Sequence, residues 1–159
     1  MIWEIWVAGV AQPQGSARGF KAGNRVIITT DNKNLRPWRH AVTSEVQQKM
    51  AFAGPEEPLA GPIGLELVFV FPRLKGHYGS KGLLASAPRE HAVRPDLDKL
   101  ARAVIDALAD AGLLRNDAQV AALMASKRYG DRPGCQIRLS TEWEIAPASD
   151  VVQPSTMAS

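Results

Sequence analysis

Three aspartates are spaced so that their carboxylates can act together. Asp96 and Asp98 stand one residue apart in the stretch RPDLDKLARAVIDALADAGLLRNDAQV, residues 94–120, and Asp117 follows beyond a glycine. In an extended segment, residues i and i+2 point the same way, about 6.6 Å apart by strand rise. Pro95 disfavours helix at Arg94 and keeps the approach extended. Clustered carboxylates repel one another and need a compensating cation at neutral pH. Oxygen donors with no His or Cys among them suit Mg²⁺, with Mn²⁺ as a substitute, and not zinc. Such an ion polarises a phosphate, lowers the pKa of a bound water and stabilises the attacking and leaving oxygens of phosphodiester hydrolysis. Taken singly, Asp98 reads as a helix cap and Asp117 as a turn residue. Taken together, Asp96, Asp98 and Asp117 read as metal ligands and catalytic groups, with Arg102 placed to neutralise charge developing on the phosphorane.

The elements that position these groups follow from periodicity. With Asp98 at or near an N-cap, Asp98, Arg102 and Asp106 run at i, i+4, i+8 down one stripe of a helix over 98–111. Leu97, Leu100, Ala101, Val104 and Leu108 make the apolar stripe that faces a sheet. Gly112 suits the C′ position, and the turn after it can return Asp117 to the same place. Upstream, Ile2 to Ala8 alternate as a strand apolar enough to bury both faces, Gly9 to Gly19 read as a loop, and Val26 to Thr30 form a β-branched run. Leu35, Trp38, Val42, Val46 and Met50 then recur every three or four residues, with Asn34 as N-cap and Gly54-Pro55 as the stop. Ile63 to Phe71 is a strand ended by Pro72, and residues 72–93 are a long loop of the kind that carries function. Residues 118–128 contain helix-favouring alanines, yet the Asn116-Asp117 turn and Arg128-Tyr129 predict a strand leading into a Gly130–Gly134 turn. Alternation from Cys135 to Trp143 predicts the last strand. The order β-β-α-β-α-β-β describes an α+β domain, a mixed β-sheet with two main helices, over residues 1–145. A Pro/Ser/Ala-rich tail, 146–159, is expected to be disordered.

Charge sharpens the picture. The chain has 159 residues and a formal charge of +3. Residues 141–159 hold three acids and no Lys or Arg, so the first 140 carry 19 basic against 13 acidic side chains. Arg18, Lys21, Arg25, Lys33, Arg36 and Arg39 cluster in one stretch, and Arg73, Lys75, Lys81, Arg89 and Arg94 in another. A basic balance favours polyanions, because neutralising phosphates releases counterions. The single Cys135 excludes an internal disulfide framework and a four-cysteine zinc site. No apolar run reaches the ~20 residues of a membrane helix, and the N-terminus lacks a secretion signal, so a cytoplasmic protein with no membrane partner is expected.

The 94–120 segment resembles the RusA family of Holliday junction resolvases, found in bacteria and often encoded by phages. The family core, roughly R-x-D-[LI]-D-N-L-x-K, then D-A-L, a Gly turn and [DN]-D-x-Q-[IV], is matched by Arg94, Asp96, Leu97, Asp98 and Leu100. It continues in Asp106-Ala107-Leu108, Gly112 and Asn116-Asp117-Ala118-Gln119-Val120. The Pro13–Arg18 loop, Phe71-Pro72-Arg73 and Lys127-Arg128-Tyr129 are also family-like. The resemblance implies a Mg²⁺-dependent homodimeric endonuclease that nicks four-way DNA junctions symmetrically, with metal carboxylates at Asp96, Asp98 and Asp117 and no organic cofactor. Lys99 departs from the usual Asn, Arg102 from the usual Lys, and Asn116 from an acid in some members, changes that bear on rate and substrate preference. Expected DNA contacts are Arg18, Lys21, Arg73, Lys75, Lys81, Arg94, Lys99, Arg102, Lys127 and Arg128. Two cuts related by two-fold symmetry call for a C₂ dimer. A catalytically weakened junction-binding protein and a Mg²⁺-dependent nucleotide hydrolase are the competing functions.

Other features carry less. His40, His77 and His91 lack metal-ligand spacing and are expected on the surface or in loops, His91 as a phosphate contact. Cys135 is expected to be buried packing. Gly76 to Gly82 lack the G-K-[ST] ending of a phosphate-binding loop, so that segment is expected to gate or line a DNA surface, with Tyr78 able to stack on a base. Trp3, Trp6, Trp38 and Trp143 read as core or dimer contacts.

Overall fold

Period-two burial organises the sheet. In β1 (Ile2–Ala8) Trp3, Ile5 and Val7 are buried while Ile2, Glu4 and Trp6 are exposed, so this strand buries one face and not the two its apolar composition suggested. Strand β4 (Ile63–Pro72) buries Ile63, Leu65, Leu67, Phe69 and Phe71, and β8 (Gly134–Ser140) buries Cys135, Ile137 and Leu139. A computed structural model supplies these coordinates and describes residues 2–15, 17–30 and 32–142, with the backbone alone at 17–20 and 27–30. The expected tail, Trp143 and the Arg18 side chain lie outside the described residues.

The four-stranded sheet runs β1-β8-β4-β7, with β7 spanning Val120–Gly130. β8 is antiparallel to both β1 and β4, and β4 is parallel to β7. A parallel pair needs a crossover, and helix α2 (Leu97–Asp110) supplies it. This pairing makes the alanine-rich 118–128 segment strand from Val120 onward, with Ala118 and Gln119 in the turn before it: Leu65, Leu67 and Phe69 align with Leu123, Ala125 and Lys127, so tertiary context overrides propensity.

Helix α1 (Leu35–Ala53) buries Leu35, Trp38, Val42 and Val46, the stripe read from its sequence. Helix α2 buries Leu100, Ala101, Ala103, Val104, Ala107 and Leu108. Both helices join the strands' inward residues in one core, and among the described residues no helix covers the opposite sheet face. Each fully buried Leu, Ile or Phe contributes roughly 1.5–3 kcal/mol, so this layer contact sustains the fold. On the uncovered face Arg138 bridges Glu4 at 3.4 Å and Glu66 at 3.8 Å across three strands.

Two parts were not anticipated. Ala17–Ala22 (β2) pairs antiparallel with Arg25–Thr30 (β3), so the expected Gly9 to Gly19 loop holds over 9–15 but its last three residues belong to a hairpin. Its two-residue turn is Gly23-Asn24, with Gly23 at φ +64°, where a side chain would be strained. The loop 72–93 contains a short hairpin, Tyr78–Gly79 (β5) with Gly82–Leu83 (β6). Farther along, Glu90 bridges to Arg128, so part of the same loop covers one end of the β7 edge. Among the described residues no helix is long and apolar enough to cross a membrane.

Candidate active site

Asp96, not Asp98, is the N-cap of α2. Its backbone is extended, at φ −69° and ψ 136°, as Pro95 in the sequence led one to expect of this approach, and its carbonyl accepts from the Leu100 N–H at 3.1 Å. Its carboxylate makes no capping hydrogen bond. An aspartate at a cap ordinarily satisfies the first free amides; here the side chain is left to face outward, paired with the Lys99 ammonium at 3.3 Å. Asp98 sits in the first turn, exposed, where the helix dipole favours an anion. Leu97 is half-buried and Leu100 fully buried, which fixes where the two acids on either side of Leu97 emerge.

Lys127 holds this approach from below. Its ammonium donates to the carbonyls of Val93, at 2.6 Å, and Pro95, at 2.7 Å, directly before Asp96. This side chain, an expected DNA contact, is half-buried, and its ammonium is engaged with backbone. The next turn of α2 exposes Arg102, which has no ion-pair partner among the described residues. Asp106, a turn beyond, faces Arg39 of α1 at 3.8 Å, and Asp110 also pairs with Arg39. These two acids are thereby tied to the helix–helix contact.

A concavity of about 600 Å³ opens beside Asp96. Val10 to Pro13, Phe71, His91, Arg94 and Lys99 line it. The 10–14 segment is held there by Gln14 N–H donating to the Lys99 carbonyl, 2.9 Å, and by Asn32 Nδ2 donating to Gln12 Oε1, 3.2 Å. His91 lies in a loop, one of its two expected placements, but is buried there and not on the surface. Its ring stacks on Phe71 at 4.2 Å and tilts against Tyr129 at 4.8 Å, and Nδ1 has no hydrogen-bond partner among the described residues. Burial, and then the charge of Lys127, hold its pKa below the usual imidazole value, which keeps the ring neutral at pH 7. His77 is half-buried, its Nδ1 accepting from the Leu74 N–H, and His40 is exposed. Cys135 is fully buried and its thiol is pushed well up by desolvation, which rules it out as a thiolate nucleophile.

At its far end α2 closes as expected. Gly112 takes φ +82°, Leu113 N–H donates to the Leu108 carbonyl and Gly112 N–H to that of Ala109, the paired bonds of a Schellman motif. The chain then buries Leu113 and Leu114 and exposes Asn116 and Asp117, the latter opening a 3-10 turn, Asp117–Gln119. Gln119 fastens this turn. Its Oε1 accepts from the Arg115 and Asn116 N–H groups at 2.6 and 3.3 Å, and its Nε2 donates to the Leu59 and Gly61 carbonyls at 2.8 and 3.1 Å.

The turn does not return Asp117 to Asp96 within one chain. Asp117 precedes Val120, which pairs with Ile63 at the start of β4, whereas Asp96 shares its concavity with Phe71 at the end of β4. The 14 residues of α2 lie between them, a span of roughly 20 Å. Asp96 and Asp98 are neighbours; Asp117 is apart. Accordingly, no group of three carboxylate, imidazole or thiol side chains able to hold a metal assembles among the described residues of a single chain. The donor chemistry, oxygen only, still suits a hard divalent ion.

A family model described as endodeoxyribonuclease RusA matches residues 9–140. The chain belongs to the RusA family. Its reaction is therefore the hydrolysis of phosphodiester bonds within DNA. No curated protein matches it. In this RusA-family chain the cations expected to meet DNA are distributed over several surfaces. Arg94 and Lys99 border the Asp96 concavity, Arg73 and Arg128 border a second groove on the uncovered sheet face, and Lys21, Lys75 and Lys81 are exposed. Three residues with structural duties escaped sequence reading: Gln119, Lys127 and Arg39. Gln119 had appeared only as part of a family-like motif, Lys127 as part of another and as an expected DNA contact, and Arg39 only as a member of a basic cluster.

Proposed function

We propose that this protein is a Mg²⁺-dependent, homodimeric endonuclease that resolves Holliday junctions by paired, symmetric nicks in the cytoplasm of a bacterium or of a phage-infected host. The observation that carries the proposal is the rigid start of α2, where a cap aspartate that does not cap and a first-turn aspartate emerge together beside a basic concavity. Asp96 and Asp98 are the ligands one chain offers. A bound divalent ion would supply charge against the phosphate and an activated water. The protein's own residues do the rest: Lys99 balances the carboxylates, Arg94 and Arg102 meet phosphate charge, and Lys127 and Leu97 hold the acids in place.

Asp117 joins this site from a second copy. β7 is an edge strand, and its stretch Val120–Ser126 has no charge and no proline, the features with which edges are usually protected. Leu123 and Met124 are exposed on it. Antiparallel pairing of two such edges about Leu123 and Met124 would carry the partner's Asp117 toward the Tyr129 end of this strand, where Asp96 stands. Such a pair is isologous and places two equivalent sites about a two-fold axis, as two symmetric nicks require.

The test is a labelled four-way junction incubated with and without Mg²⁺. Paired nicks that depend on the metal, and their loss with retained junction binding in Asp98→Asn and Asp117→Asn, support the proposal. Metal-independent cleavage, or near-normal cleavage by either variant, contradicts it.

A further inference from the structure

The uncovered face of the sheet holds a groove of about 580 Å³ at the C-terminal end of β4. It stands back to back with the Asp96 concavity. Consecutive residues of a strand point to opposite faces, and here Val70 lines the groove while Phe71 lines the concavity, as Glu90 does the first and His91 the second. The groove floor includes the indole of Trp6, 36 % exposed, seated over Gly134, where a Cβ would collide with the ring. A large aromatic seated on a glycine in this way keeps part of its ring accessible from the groove.

Four guanidiniums surround it, Arg73, Arg89, Arg128 and Arg132, against the single carboxylate of Glu90. None of the four has an ion-pair partner among the described residues. Arg73 is steadied by donating to the Pro88 carbonyl at 2.9 Å and by lying 6.0 Å from the centre of the Tyr129 ring. Arg89 is placed by its own carbonyl, which accepts from the Tyr129 N–H at 2.8 Å. The basic groups are thus set on ordered backbone around an aromatic floor.

We infer that this groove binds an unpaired DNA strand, with a base stacked on Trp6 and flanking phosphates on Arg89, Arg128 and Arg132. The inference rests on the reading of the chain as an enzyme of branched DNA and adds a second contact to it, on the opposite face of the sheet from the metal site. The volume lies within the ~300–1,000 Å³ of pockets that enclose a small ligand. An unstacked nucleotide can offer its base face to an indole, whereas a duplex keeps its base faces stacked inside. A strand opened at the branch point would pass round the end of β4 into the groove.

The experiment measures binding of a fluorescent oligothymidylate by the full chain, without divalent metal, over a series of salt concentrations. The double variant Arg89→Ala/Arg132→Ala should weaken binding at least tenfold and flatten the slope of log affinity against log salt by about 1.4, or 0.7 for each lost phosphate contact on single strands. Trp6→Ala should weaken it about tenfold with the salt slope unchanged, and Trp6→Phe should restore most of the loss. The exposed control pair Arg36→Ala/Lys49→Ala, on α1, should leave binding within twofold. Unchanged affinity in the groove double variant, or an equal loss in the α1 control, overturns the inference; so does an equal loss on a blunt duplex. Junction cleavage by wild type in Mg²⁺, run in parallel, separates the two proposals: cleavage with groove-independent oligothymidylate binding refutes the groove alone, and groove-dependent binding without cleavage refutes the nuclease reading alone.

Discussion

Replacing Lys127 by Met removes a half-buried charge and, with it, the two hydrogen bonds that hold the approach to Asp96. The ammonium lies 2.6 Å from the Val93 carbonyl and 2.7 Å from that of Pro95. Hydrogen bonds involving a charged group contribute roughly 1.5–3 kcal/mol each. Lys127 is half-buried, so water can partly replace it at the freed carbonyls, and Met keeps the aliphatic stem. The net loss is then about 2–4 kcal/mol, which in a chain of this size lowers Tm by roughly 4–16 °C. The same loosening displaces Asp96, and misplacement by about 1 Å can cost ~10²-fold in rate. Thermal unfolding, junction binding across a salt series and single-turnover cleavage read the three consequences separately. A lower Tm, an unchanged salt slope and slower cleavage are expected. An unchanged or higher Tm, with the binding slope reduced by the ~0.9 of one lost phosphate contact on duplex DNA, would show that Lys127 faces the nucleic acid and would refute the argument.

Gln119→Leu removes four hydrogen bonds at the Asp117 turn, so it should destabilise the fold by about 2–3 kcal/mol and speed hydrogen exchange at the Arg115 and Asn116 amides; unchanged exchange there would mean that the turn holds without it. Because the folded His91 pKa lies below its ordinary 6.5, the unfolded chain takes up that proton more readily, and stability present above pH 6.5 is lost as the pH falls through and below it. His91→Phe keeps the stacking on Phe71, removes the titration and the unpartnered Nδ1, and should flatten the fall of Tm between pH 7 and 5; a wild-type slope in the variant would contradict this. Arg102→Ala should slow junction cleavage by about 10²–10³-fold, the size of effect seen when one transition-state donor is lost, with binding little changed. A negligible effect would give Arg102 a purely structural role.

Much of the fold was legible because its signals are local. The three-and-four spacing of Leu35, Trp38, Val42 and Val46, the glycine at 112 and the alternation of β1, β4 and β8 each depend on neighbours in sequence. The β2–β3 hairpin was missed because the Gly/Pro/Ser composition through Gly19 masked the two-residue Gly23-Asn24 turn, which is itself a hairpin signal. What could not be read depended on distant partners. His91 is buried because Arg89 to His91 run along the edge of β7, and the Lys127 ammonium is engaged with backbone because the carbonyls of Val93 and Pro95 lie within its reach. The acidic constellation was visible as residue types, but its geometry was not. Pattern alone set Asp117 beside Asp96, whereas the parallel pairing of β4 with β7 makes α2 a full crossover and sets the two at its opposite ends.

That separation makes subunit mixing the most direct measurement. Asp98→Asn and Asp117→Asn proteins, each inactive alone, are combined, allowed to exchange subunits and assayed for nicking of a four-way junction in Mg²⁺. If one chain supplies positions 96 and 98 and the other supplies 117, each mixed dimer regains one intact site and nicks one strand. A mixture that forms mixed dimers yet stays as inactive as its components would show that the three carboxylates do not combine between chains.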